Sequence, residues 1–245
     1  MTREKILPRA LCGEPFFRWR GGDVSRIENL SDVVFAFALT LIVVSLEVPR
    51  NVGELVAAIV QFPVFAVCFT LLIYCWYHSY LFHRRYGLEG LVPMTLNSLL
   101  LFFVLFYVYP LKFVFSALYL WITPIRRIVA AASDAPLPAF EGGNGRTVML
   151  FFSAGFTGIF VLFTLMNLYA WRHRAALELD RQETIVARGA IRGHLLSAAV
   201  GVASLLLALG PDSIAPLSGM IYFVMGPIHF ANGYHTGRAA EQVAK

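Results

Sequence analysis

The chain has 245 residues, 58% hydrophobic and only 14% charged, against about 25% charged in an ordinary soluble domain. That composition leaves little room for a soluble domain. The net charge of +5 is accounted for by topology signals and lipid-headgroup contacts, not by nucleic acid. Apolar runs of about twenty residues, the length that crosses a bilayer core, recur along the chain, so the expected fold class is an all-α membrane protein with six transmembrane helices per subunit. The expected division is a basic tail over 1–24, a six-span domain over 25–231 and a second tail over 232–245. Cys12, Cys68 and Cys75 are odd in number, and two of them lie in one apolar run; free thiols are expected.

Residues 1–24 interleave Arg3, Lys5, Arg9, Arg18 and Arg20 with Phe16, Phe17 and Trp19, as expected for a tail at a membrane interface. Ser25-x-x-Glu28 reads as a capping box, which predicts a first helix from Arg26 to about Val48. The second helix is expected over about Leu55–Phe82 with a kink at Pro63, and the third from about Pro93, through Asn97, to Pro110 or beyond. Residues 123–146 are rich in Pro and Gly and read as a long loop. A fourth helix is expected over about Val148–Trp171, followed by a polar helix over Arg172–Arg188. A fifth, rich in small residues, covers about Gly189–Leu209, and a sixth about Ser213–Ala231. With both termini inside, fifteen of the 20 Lys and Arg residues fall on the cytoplasmic side and four outside, a bias that requires an even number of spans.

Polar residues within the apolar runs carry the functional argument. Asp32 lies about 9 Å into the first helix, and an acid there is expensive in lipid. The inner end of the second helix offers Trp76, His78 and Ser79 as partners, while headgroup contact is the plainer alternative. Phe37, Thr40, Val44 and Glu47 are spaced +3, +4 and +3 and share one helical stripe. Around a symmetric pore, Glu47 would attract cations, Thr40 would offer hydroxyls to a dehydrating ion, and Phe37 would form a constriction. The competing account is an ordinary packing face with Thr40 bonded to its own backbone. The histidines do not repeat at matching depth as haem ligands would. No nucleophile–base pair, phosphate loop or zinc spacing is visible, so neither a catalytic site, a cofactor nor a bound metal is expected.

Arg26-Ile27-Glu28-Asn29-Leu30-Ser31-Asp32 resembles the R-x-x-x-F-S-D signature of the transmembrane protein 175 family of potassium channels, with Leu30 for Phe. The helix that follows it, the aromatic–histidine stretch Tyr74–Phe82 with Ser79 at the place of a usual second His, and the run from Asn97 to Pro110 are similar to the first three helices of bacterial members. The resemblance covers residues 26–112. It implies a potassium-preferring leak channel of a cell membrane: a homotetramer contacting K+ ions and lipids, with cytoplasmic termini and first helices lining the pore. There would be no carbonyl-lined filter loop. The family's constriction positions fall on Phe37 and Val44, its threonine layer on Thr40, and its structural network on Arg26, Ser31, Asp32, Trp76 and His78. Phe37 departs from the usual Ile or Leu. The alternatives are a proton-coupled small-solute transporter using Asp32 and His78, or a non-conducting membrane scaffold.

Overall fold

The computed structural model describes residues 16–20, 23–44, 48–125, 128–130, 144–215 and 217–244. Helix α1 covers Arg26–Val44, and the capping box sets its start: the Glu28 backbone N–H donates to Ser25 Oγ at 3.2 Å, and the Ser25 N–H to Glu28 Oε2 at 3.4 Å. The expected kinked second helix is two helices, α2 (Val52–Val60) and α3 (Phe62–Tyr86). Pro63 has no N–H to bond the carbonyl four residues back, so the chain restarts there with Pro in the first turn. Gln61, between them, closes α2 by donating its N–H to Ala58 O. Gly87, with φ 53°, takes the left-handed conformation that ends α3, its N–H donating to His83 O at 2.9 Å.

Helix α4 (Leu91–Ile122) carries Pro110 inside it. Helix α5 covers Asn144–Arg172. The expected polar helix over 172–188 is instead a turn followed by the first turns of α6 (Arg181–Leu209). Asp180 dictates that start through a second capping box with Glu183. The last apolar segment is divided into α7 (Leu217–Met220), a 3-10 turn over Ile221–Val224 and α8 (Met225–Ala244), and α8 runs on past the expected boundary at 231. Among the described residues, five helices are long and apolar enough to cross a membrane: α1, α3, α4, α5 and α6. Cys68 and Cys75 are free thiols.

Helices α5 and α6 make the most extensive pairing. Small residues permit it: a Cβ on Gly201 would lie 2.3 Å from Thr157 Oγ1. On the other side, α4 packs its rings into α5, and Gly155 leaves room for Tyr107. Helix α1 packs on α3 and α4.

One long-range cluster binds the chain's beginning to this body. Phe17 and Arg20 are buried rather than interfacial, and Phe17 meets the Tyr86 ring edge-on at 5.5 Å. The fully buried carboxylate of Glu183 accepts from the Arg18 backbone N–H (2.8 Å) and guanidinium (3.0 and 3.1 Å), from Arg20 (2.7 and 3.2 Å) and from the Asp180 N–H (3.0 Å). Arg20 also donates to Leu177 O at 2.7 Å, and its backbone N–H to Arg84 O at 2.9 Å. Removing the carboxylate strands a buried guanidinium, which costs about 3–5 kcal/mol. Glu183→Ala is therefore expected to lower stability by that amount in equilibrium unfolding in mixed micelles. An unchanged midpoint would show that the cluster does not hold the fold.

Candidate pore helix and its ties

Helix α1 is two-sided. Glu28, Ser31, Phe35, Ala38 and Ile42 recur every three or four residues and are buried. Val33, Phe37, Thr40 and Val44 follow the same spacing on the opposite side and are exposed, Phe37 to 55% and Val44 to 76%. No other part of the described chain covers this face. Among the described residues, Phe37, Thr40 and Val44 of the stripe singled out in the sequence are therefore not a packing face within one chain. The Thr40 hydroxyl nevertheless donates to its own backbone, to Phe37 O at 2.7 Å, as the plainer account of it required. Glu47, the fourth member of the stripe, lies outside the described residues.

Three polar contacts in the first turns fix which face turns inward. Glu28 Oε1 pairs with Arg84 Nε of α3 at 3.1 Å, an ion pair by distance whose direction does not make a hydrogen bond. The Ser31 hydroxyl accepts from Asn97 Nδ2 of α4 at 2.9 Å and donates to Ile27 O. Asp32 Oδ1 accepts from the Trp76 indole N–H of α3 at 2.8 Å.

The expected network is thus assembled in part. Ser31, Asp32 and Trp76 stand at the α1–α3–α4 contact. Arg26 is exposed at the first position of α1 and makes no ion pair among the described residues. His78 is not in the network, which corrects the expectation. Two residues along a helix is about 200° of rotation, so when Trp76 faces α1, His78 faces away. Its ring meets His194 of α6 at 4.8 Å and Phe163 of α5 at 5.9 Å. Ser79, the other expected partner, is buried with its hydroxyl unbonded. The Glu28–Arg84 and Ser31–Asn97 contacts were not expected. A carboxylate at a capping-box position and an amide inside an apolar run were the available signals for them. Among the described residues no group of three His, Cys, Asp or Glu side chains could hold a metal ion.

This chain can be placed among known proteins. The sequence profile described as "Endosomal/lysosomal potassium channel TMEM175" matches residues 26–108, the part that holds α1, its ties and most of α4. A protein of Marivirga tractuosa named "Potassium channel" is 34% identical over 246 residues, covering 98% of each chain. The chain belongs to the TMEM175 potassium channel family. The crystal structure of a threonine-to-alanine variant of the potassium channel MtTMEM175, in complex with a nanobody–MBP fusion protein, is similar to this one with a TM-score of 0.75 at 34% identity. That match covers 92% of this chain and 98% of that one. A TMEM175 homologue from Chamaesiphon minutus matches at 21% identity over 82% of this chain, with a TM-score of 0.48.

The ties are accessible to measurement. Ser31→Ala leaves the buried Asn97 amide without its acceptor and is expected to cost about 1–2 kcal/mol. Trp76→Phe, at a more exposed contact, is expected to cost less. The double variant Ser31→Ala/Asn97→Leu is expected to recover part of the first loss in the same unfolding assay. Additive losses would mean that the two side chains do not act on each other.

Proposed function

We propose that this protein is a potassium-preferring leak channel of a cell membrane, formed by four copies of the chain around an axis lined by their α1 helices. The observation that carries it is the uncovered face of α1. A helix of this hydropathy that is braced on one side and bare on the other needs an occupant for the bare side. Val33, Phe37, Thr40 and Val44 on that face offer rings, methyls and a hydroxyl. The Thr40 proton is committed to Phe37 O, which leaves the hydroxyl oxygen's lone pairs for a cation. Phe37 and Val44 are the hydrophobic constrictions of this reading, and Glu47 concentrates cations at one mouth. Family membership supports potassium as the permeant ion.

In the same proposal the divided segment from α7 into α8 supplies the sixth crossing, and both termini are cytoplasmic, in line with the charge count. Ser31, Asp32 and Trp76 belong to the brace, Arg26 stands apart from it at the exposed start of α1, and surrounding lipids cover the remaining apolar surface. The transporter alternative needs Asp32 and His78 as a protonation pair, but Asp32 accepts from Trp76 of α3 while His78 turns from α1 to His194 of α6.

The test is potassium flux in liposomes reconstituted with the full chain. Phe37→Ala is expected to raise the flux several-fold, and Thr40→Ala to lower the preference for potassium over sodium. The protein is expected to run as a tetramer in mild detergent. A monomer, or flux indifferent to both substitutions, would remove α1 from the conduction path.

A further inference from the structure

The outer surface of α6 is sorted by chemistry. All of its exposed residues fall on one helical stripe, recurring at steps of seven, four or three residues. The stripe opens with Arg181, Arg188 and Arg192. It continues through Ala199 with Leu195, Val202, Leu206 and Leu209, which are 44% to 65% exposed. Its character changes once, between Arg192 and Leu195. The apolar part over 195–209 is about 21 Å long, against roughly 15 Å for the acyl chains of one leaflet.

The end of α5 adds to the charged part. Trp171 stands in the last turn of α5, and indole rings favour the membrane–water boundary. Its ring gathers two guanidiniums from different elements. Arg174 of the following turn lies 4.4 Å from the ring centroid, and Arg188 of α6 lies 5.3 Å from it. Both arginines are exposed. Stacking on a ring leaves the guanidinium edges open to phosphate oxygens.

The chain does not neutralise these charges. Among the described residues, Arg174, Arg181, Arg188 and Arg192 meet no carboxylate within ion-pair distance. Arg174 donates to Trp171 O at 3.3 Å, and Arg192 to Asn232 and Thr236 of α8, all neutral acceptors. The carboxylates of the same turn are committed elsewhere. Glu183 gathers Arg18 and Arg20, and Asp180 caps α6. Like charges gathered at one ring repel, so the occupant of this surface brings negative charge to that end and hydrocarbon to the other. A second copy of the chain would have to set carboxylates against the arginines. A lipid with an acidic head carries both halves in one molecule.

We propose that the end of α5 and the outer face of α6 bind an anionic phospholipid, its phosphate between Arg174 and Arg188 beside Trp171 and its acyl chains along Leu195, Val202 and Leu206. The site lies away from α1 and holds whether or not the chain conducts. The test is native mass spectrometry of the full chain in mild detergent. It is equilibrated with phosphatidylglycerol, or with phosphatidylcholine of the same acyl chains, with and without millimolar inorganic phosphate. Phosphatidylglycerol is expected to be retained roughly ten-fold more than phosphatidylcholine. Arg174→Gln/Arg188→Gln is expected to lower that retention at least about five-fold with unchanged helical content, while Arg50→Gln, an exposed arginine at the start of another helix, leaves it as it was. If the double variant does not fold, Arg188→Gln alone decides, with an expected loss of at least about two-fold. Equal retention of the two lipids, or an equal loss from Arg50→Gln, overturns the proposal in favour of diffuse charge. Displacement by inorganic phosphate assigns the arginines to a free anion and removes the lipid. Dissociation of the assembly by the double variant, with lipid retention unchanged, makes the stripe a contact between copies and also overturns it.

Discussion

The structure depends on how the first two turns of α1 are fixed against α3 and α4. In a lipid-facing bundle, apolar contact discriminates weakly between helix faces, because acyl chains are as apolar as leucine. Polar side chains discriminate strongly, since an unmet partner in hydrocarbon is costly. Glu28, Ser31 and Asp32 each find a partner on a different residue of two neighbouring helices. Together they determine the rotation of α1 about its own axis. Once that rotation is fixed, Phe35, Ala38 and Ile42 turn inward, and Val33, Phe37, Thr40 and Val44 are left uncovered by the described residues.

The other half of the molecule is built on a different principle. Helices α5 and α6 approach closely through small residues, and their connecting turn is locked by the Glu183 carboxylate, which gathers both Arg18 and Arg20. The same two arginines lie a few residues before α1. The segment that leads into α1 is therefore clamped to the α5–α6 turn and, through the Arg20 backbone, to the end of α3. The two halves meet through this clamp and through the α4–α5 rings, so the entry to α1 is held from both sides.

What was legible in the sequence was local or periodic. The capping box at Ser25 needs only a three-residue spacing, and α1 starts where that spacing places it. Five of the six expected spans follow from hydropathy among the described residues, and the stripe on α1 from the helical repeat. Pro63 announced a disturbance, but whether a proline kinks or breaks a helix depends on the bonds its neighbours find, and Gln61 found Ala58. The pairing of Asp32 with Trp76 was legible because two antiparallel helices bring their inner ends together. Adding His78 to it ignored the rotation between residues two apart. The Glu183 clamp was not legible at all. Its partners are more than 160 residues apart, and Arg18 and Arg20 look in sequence like any other basic residues beside a membrane.

The placing of the α1 ties has a mechanical consequence. All three lie between Glu28 and Asp32, and beyond them the side chains that α1 turns inward, Phe35, Ala38 and Ile42, are apolar. From Asp32 to Val44 is about 18 Å of helix. A rod whose polar side-chain ties gather at one end pivots about that end. A tilt of about 10° about the ties would carry Val44 sideways by about 3 Å while moving Thr40 by about 2 Å and leaving Asp32 nearly still. Stiffness along α1 is therefore graded, and the residues of the bare face differ in how far they can travel as well as in chemistry.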